Sequence, residues 1–208
     1  MIKAVIFDMD GVLIDAKEWH YEALNKALNL FGQNISRYDH LVTYDGLPTK
    51  KKLEMLSLEN NLPKGLHQLI NDIKQINTLE MAFTMCKPRF IHQRALSKLK
   101  EDGYKLGVCS NSIRQTVDIM MEKSDLQRFL DNSYSNQDVS KGKPDPEMYI
   151  KMINFFGLDP KECLIVEDNE NGIKAAKASG AHLLKVETVD DVYYENIKNR
   201  INQINEGL

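Results

Sequence analysis

Cysteine is scarce in this chain. Cys86, Cys109 and Cys163 are the only three in 208 residues, odd in number and scattered. None has zinc-site spacing, and two fall in apolar strand-like runs, so all read as buried free thiols of a reducing, cytoplasmic compartment. Long hydrophobic runs are missing as well; none approaches the ~20 residues that cross a bilayer. The amino terminus passes straight into a strand that ends on acids and is expected to be no signal peptide. Charge of one sign is also missing. A total of 27 Lys and Arg against 30 Asp and Glu leaves a net charge of -3, which gives no electrostatic case for nucleic acid or an anionic membrane as partner. In that compartment the sequon Asn34-Ile35-Ser36 is read as chance. Internal repeats and low-complexity segments are absent too.

What is present is ordinary for a globular protein, with 42% hydrophobic and 27% charged residues. The length allows one core domain with a smaller insertion. Residues 5–7 form a short β-branched run of the kind buried on both faces of a sheet. From Asp15 to about Cys86 the texture is helical. Trp19, Ala23, Leu24, Ala27, Leu28 and Phe31 recur at steps of three and four, and Gly32 stands where a helix would close. A loop and helix follow over 44–56, with further amphipathic helix over 59–84. Strands and helices then alternate. Strands are expected at 105–109, around Tyr134, at 163–166 and at 181–186. Helices are expected at 90–99, 112–121, 147–156 and 170–179, with a last one marked by Val189, Val192, Tyr193, Ile197, Ile201 and Ile204. Asp145 reads as the cap of the helix at 147, with Pro146 at its first position. The pattern predicts an α/β fold. Its core is a doubly wound, Rossmann-like parallel sheet from 1–14 and 86–208, and an α-helical cap is inserted at 15–85.

Each confident strand ends on polar chemistry. Asp8 and Asp10 follow the first, Ser110 and Asn111 follow "LGVC", and Glu167 and Asp168 follow "LIV". Lys143 precedes Pro144 ahead of the helix at 147. Taken singly, such residues are commonly solvated acids or helix caps. Together they lie at one rim of one sheet, where ligands of such folds bind. Four carboxylates gathered there repel unless a cation sits among them, and hard oxygen ligands on rigid strand ends suit Mg²⁺. Lys143, the Ser110 hydroxyl and the amides after residue 110 would cradle a phosphate.

The segments "FDMDGVLID", "SNS", "KGKPDPEMY" and "VEDNENGIKAA", in that order, resemble the four motifs of the haloacid dehalogenase superfamily from one end of the chain to the other. With the helical insertion and "GVLIDAKEWH", the likeness is to its beta-phosphoglucomutase-like phosphatase and mutase branch. The resemblance implies an Asp8 nucleophile that forms an aspartyl-phosphate. Asp10 would be the general acid and then base, its backbone carbonyl also on the metal. Lys143 would compensate charge and hold phosphate alongside Ser110 and Asn111. Glu167 and Asp168 would complete the Mg²⁺ site with Asp8. An acid at position 10 fits a phosphate monoester, which needs its leaving oxygen protonated.

The cap is expected to close over the site and to choose the substrate. His20 and the stretch 45–52 are the candidates, with Thr49 and Lys50 foremost; Trp19 reads as cap core. The sequence departs from beta-phosphoglucomutase in having Thr49 where that enzyme has an arginine and Ala16 where it has a threonine. A mutase must grip a second phosphate. The expected function is therefore hydrolysis of a small phosphorylated metabolite, a sugar or polyol phosphate, with a phosphosugar mutase as the alternative. A non-catalytic phosphometabolite-binding protein comes third, because every chemical group is present. No oligomeric state follows from the sequence.

Overall fold

The computed structural model describes residues 1–44 and 47–207. In chain order the elements are β1 (Ala4–Phe7), α1 (Lys17–Asn29), α2 (Arg37–Asp39), α3 (Thr49–Glu59), α4 (His67–Met85), α5 (Phe90–Glu101), β2 (Lys105–Cys109), α6 (Arg114–Lys123), β3 (Asn132–Tyr134), α7 (Glu147–Phe156), β4 (Cys163–Glu167), α8 (Glu170–Ala178), β5 (His182–Lys185) and α9 (Tyr194–Glu206). They group into two compact units, Met1–Asp15 with Cys86–Leu208, and Ala16–Met85. Asp15, placed in the insertion by the sequence, clusters with the first unit.

In the first unit the strands form one parallel sheet in the order β3-β2-β1-β4-β5. The chain winds outward from β1 through β2 to β3, then crosses back to β4 and β5. Strand order therefore reverses between β1 and β4, which opens a crevice at their carboxyl ends. Every residue of β1 is fully buried, because helices cover both faces of the sheet. Ala4 and Ile6 face Met148, Tyr149, Met152 and Ile153 of α7 and Ala175 and Ala176 of α8 in one apolar cluster. Contact there is tight. A Cβ on Gly107 would stand 2.7 Å from Met152 Sδ, so the Met152 side chain fills the space that a side chain on β2 would take.

Two expected helix starts and one expected cap shift, each for a local reason, while α7 begins at Glu147 as expected. The helix expected at Ser112 begins at Arg114, because the Ser112 N–H donates to Ser110 Oγ (3.0 Å) and its carbonyl accepts from Asn136 N. The cap of α7 is Pro146 rather than Asp145, yet the Asp145 carboxylate still accepts from the Glu147 N–H at 3.0 Å. The last helix begins at Tyr194, since the box formed by Thr188 and Asp191 turns Val189–Asp191 into a separate 3₁₀ turn.

In the second unit α1 packs along α4. Leu24, Ala27, Leu28, Ile35, Tyr44, Leu53, Leu56, Leu62 and Ile70 form its core. Trp19, expected in that core, is half-buried and outside it. Gly32 adopts φ 67°, and the Gln33 N–H closes α1 on the Leu28 carbonyl at 3.1 Å. The Asn25 side chain ties the following segment to α1 by bonding both the N–H and the carbonyl of Ile35.

Candidate active site

Asp8 leaves β1 at the strand-order reversal and is 4% exposed. Lys143, also 4% exposed, reaches it from the turn before α7. Its Nζ donates to Asp8 Oδ1 at 2.5 Å, to Glu167 Oε1 at 2.7 Å and to the Cys109 carbonyl at 2.8 Å. One ammonium thus joins the ends of β1, β2 and β4. Burial works against its charge, but Asp8 and Glu167 more than offset that and hold the lysine above its ordinary pKa. Burial pushes the Asp8 carboxyl well above the carboxylate range. Lys143 pulls it back, while Glu167, Asp10 and Asp168 raise it further. The surroundings of Asp8 call for more positive charge than one lysine supplies.

Glu167 ends β4 and is fully buried. Its Oε1 accepts from Lys143 and from the Tyr149 hydroxyl at 2.6 Å, and its Oε2 accepts from the Asp168 N–H at 3.1 Å. Burial first, then the Glu167 and Asp8 charges, raise the Tyr149 phenol, so it stays protonated and donates. The Lys143 ammonium lies 4.7 Å from the centre of the Tyr149 ring, within cation–π range. Tyr149 therefore touches both members of the ion pair. It sits in the quoted motif "KGKPDPEMY", but only the packing of α7 against the sheet brings it to Glu167. Asn169 caps α8 by accepting from the Gly172 N–H at 3.0 Å.

Asp10, two residues beyond Asp8, has different partners. Its Oδ2 accepts from Ser112 Oγ at 3.1 Å and Ser110 Oγ at 3.3 Å. Ser110 is fully buried at the end of β2. Asn111, expected on phosphate, engages Lys143 with its side-chain amide. It accepts from Lys143 N at 2.9 Å and donates to Lys143 O at 3.1 Å. A Cβ on Gly142 would lie 2.6 Å from Asn111 Oδ1, so the glycine before Lys143 makes room for this brace. The Lys143-Pro144 peptide is cis.

Asp8, Glu167 and Asp168 each offer a carboxylate oxygen, all within 4.8 Å of one another. The donor set is hard, anionic and all oxygen, which fits Mg²⁺. Both Glu167 oxygens already accept protein donors, so Asp8 and Asp168 are its better-placed members.

Among the expected cap residues, His20 is half-buried on α1, with Nδ1 3.3 Å from Lys74 Nζ on α4. Lys74 is 7% exposed and carried no signal in the sequence. Thr49 is half-buried at the start of α3, whereas Lys50 is exposed. Lys52 is the buried lysine of the run, because it shares the inner face of α3 with Leu53 and Leu56. Asp45 and Gly46, also in that stretch, lie outside the described residues.

A parallel α/β sheet with a lysine-bridged acid cluster at its strand-order reversal is the frame of a hydrolytic enzyme. The chain belongs to the haloacid dehalogenase-like hydrolase family, which matches residues 5–186. It is 26% identical over 184 residues to a phosphorylated carbohydrates phosphatase of Thermotoga maritima, covering 86% of this chain and 82% of that one. It is 25% identical over 179 residues to pyrophosphatase PpaX of Bacillus velezensis, covering 86% and 80%. The beta-phosphoglucomutase of Clostridium difficile superposes with a TM-score of 0.81 at 19% identity over 98% of both chains. A family IA, variant 3 hydrolase of Entamoeba histolytica gives 0.82 at 20% over 97% and 100%. The fold is that of the beta-phosphoglucomutase-like branch. Among the described residues no helix is long and apolar enough to cross a membrane.

Proposed function

We propose that this chain is a Mg²⁺-dependent phosphatase of a small phosphorylated metabolite, a sugar or polyol phosphate, acting through an aspartyl-phosphate on Asp8. The observation that carries the reading is the contrast between the two acids. Asp8 is ion-paired and buried among carboxylates, the setting of a nucleophile. Asp10 is held by hydroxyls, the setting of a proton carrier. The similarity to the Thermotoga phosphatase supports the substrate class, and that to PpaX keeps pyrophosphate as a competing one.

In this reading an Asp8 oxygen forms a bond to phosphorus as the ester P–O bond breaks. Asp10 gives its proton to the leaving oxygen, then takes one from the water that attacks the aspartyl-phosphate, so inorganic phosphate and Asp8 are released. Lys143 offsets the charge of an anion attacking an anion. Ser110 hydrogen-bonds a phosphate oxygen, and Asn111 fixes Lys143. Asp8, Asp168, Glu167 and the Asp10 carbonyl would hold Mg²⁺. When bound it would add the positive charge that Lys143 alone does not supply. We assign substrate choice to the helical unit, with His20, Lys74 and Thr49 as its selecting residues.

The test is a product-resolved assay on a panel of sugar, polyol and pyrophosphate substrates, with Mg²⁺ and with a chelator. Phosphate release concentrated on one or two sugar or polyol phosphates, and lost with the chelator, is expected. Isomerised sugar phosphate without net phosphate release would make the protein a mutase.

A further inference from the structure

Ser112 plays no part in the mechanism above, yet its hydroxyl makes the shorter of the two bonds to Asp10. Ser110 has a single hydroxyl hydrogen. Donated to Asp10, that hydrogen is not available to a phosphate oxygen. Once substrate binds and the Ser110 hydroxyl hydrogen turns to the phosphate, Asp10 Oδ2 loses the Ser110 donor. Ser112 is placed to remain. Its N–H is fixed on Ser110 Oγ at 3.0 Å and its carbonyl accepts from Asn136 N at 3.1 Å. The backbone on either side of this hydroxyl is therefore pinned, and the pinning is what delays the start of α6 to Arg114.

We propose that Ser112 is the positioning residue of the general acid. It donates to Asp10 Oδ2 throughout the cycle, so the transferable proton rides on Oδ1 and Oδ1 faces the leaving oxygen. The step balances: the Asp10 Oδ1–H bond breaks, the leaving oxygen gains the proton as its bond to phosphorus breaks, and the carboxylate left behind is stabilised by the Ser112 hydroxyl. This division of labour gives the two serines of "SNS" different tasks, Ser110 on the phosphate and Ser112 on the acid.

The inference rests on the phosphatase reading, and the test separates the two. A general acid matters in proportion to how badly the leaving group needs a proton. Ser112→Ala is compared with wild type on p-nitrophenyl, phenyl and ethyl phosphates, whose leaving groups are progressively worse. Expected is a loss in kcat/KM of about tenfold or more on ethyl phosphate, shrinking along the series to the smallest effect on p-nitrophenyl phosphate. Ser112→Thr, which keeps the hydroxyl, should restore most of the lost selectivity. Ser110→Ala should lower all three by a similar factor. A uniform loss in Ser112→Ala, or no loss, overturns the assignment, since a phosphate contact or a packing role would not depend on the leaving group. Full activity in Asp8→Asn, read in the same assay, would overturn the parent reading and this one with it.

Discussion

Gly172 and Glu167 stand in a relationship that allows no side chain on the glycine. A Cβ there would lie 1.7 Å from Glu167 Oε1 and 2.0 Å from its carboxyl carbon. The same Oε1 accepts from Lys143 and Tyr149. The first turn of α8 thus forms one wall of the slot in which the buried carboxylate meets its two donors.

Gly172→Ala should therefore push Glu167 out of that slot. Overpacking at a buried site costs about 1–3 kcal/mol, and here it also disturbs a buried ion pair. The expected outcome is a lower melting temperature together with a fall in kcat much larger than any change in KM. Unchanged stability and kcat would mean that Glu167 has somewhere else to go.

Lys143→Met removes the one ammonium shared by Asp8 and Glu167. Breaking a buried pair by deleting one partner costs about 3–5 kcal/mol, because the other charge is left uncompensated. Turnover should fall at least ~100-fold, the scale of losing one charge-stabilising donor. A combined Lys143→Met, Glu167→Gln variant should recover part of the stability and none of the activity. Paired measurements of chemical denaturation and turnover check both.

These two predictions also show how much was legible in the sequence. Asp8, Asp10, Ser110, Glu167 and Asp168 could be read because each lies within three residues of the end of an apolar run, so the strand and the side chains at its end are neighbours in the chain. Lys143 was visible beside Pro144. Tyr149 carries no role in the sequence reading, since its bond to Glu167 depends on how α7 sits on the sheet. Ser112 looked like a helix start because Ser favours caps, whereas its backbone is committed to Ser110 and Asn136. Lys74 sits in mid-helix, where a lysine is ordinarily solvated, and only the packing of α1 on α4 brings it to His20. Lys50 and Lys52 were separable only by the face of α3 that each occupies.

Acid should destabilise the protein partly through His92. It is 1% exposed, with Nε2 2.8 Å from the Val189 carbonyl. Burial lowers its pKa from 6.5, with Arg89 adding to the shift and Val189 and Asp190 opposing it. A base with a depressed native pKa binds its proton more readily when unfolded. Stability is therefore full above about 6.5 and declines as pH falls toward the native value. His182, lowered mainly by its own burial, acts in the same direction. Melting temperatures between about pH 7.5 and 5 should drop for wild type and drop less for His92→Gln. Equal slopes in the two proteins would remove His92 from the account.

The central claim is that Asp8 is the nucleophile, and Asp8→Asn tests it most directly. The substitution is nearly isosteric and keeps an oxygen for Lys143. The variant is expected to melt as a folded protein, to bind a phosphorylated substrate of the wild type, and to release no phosphate above background with Mg²⁺ present. Wild-type turnover by Asp8→Asn would contradict the claim and move the nucleophile elsewhere in the site.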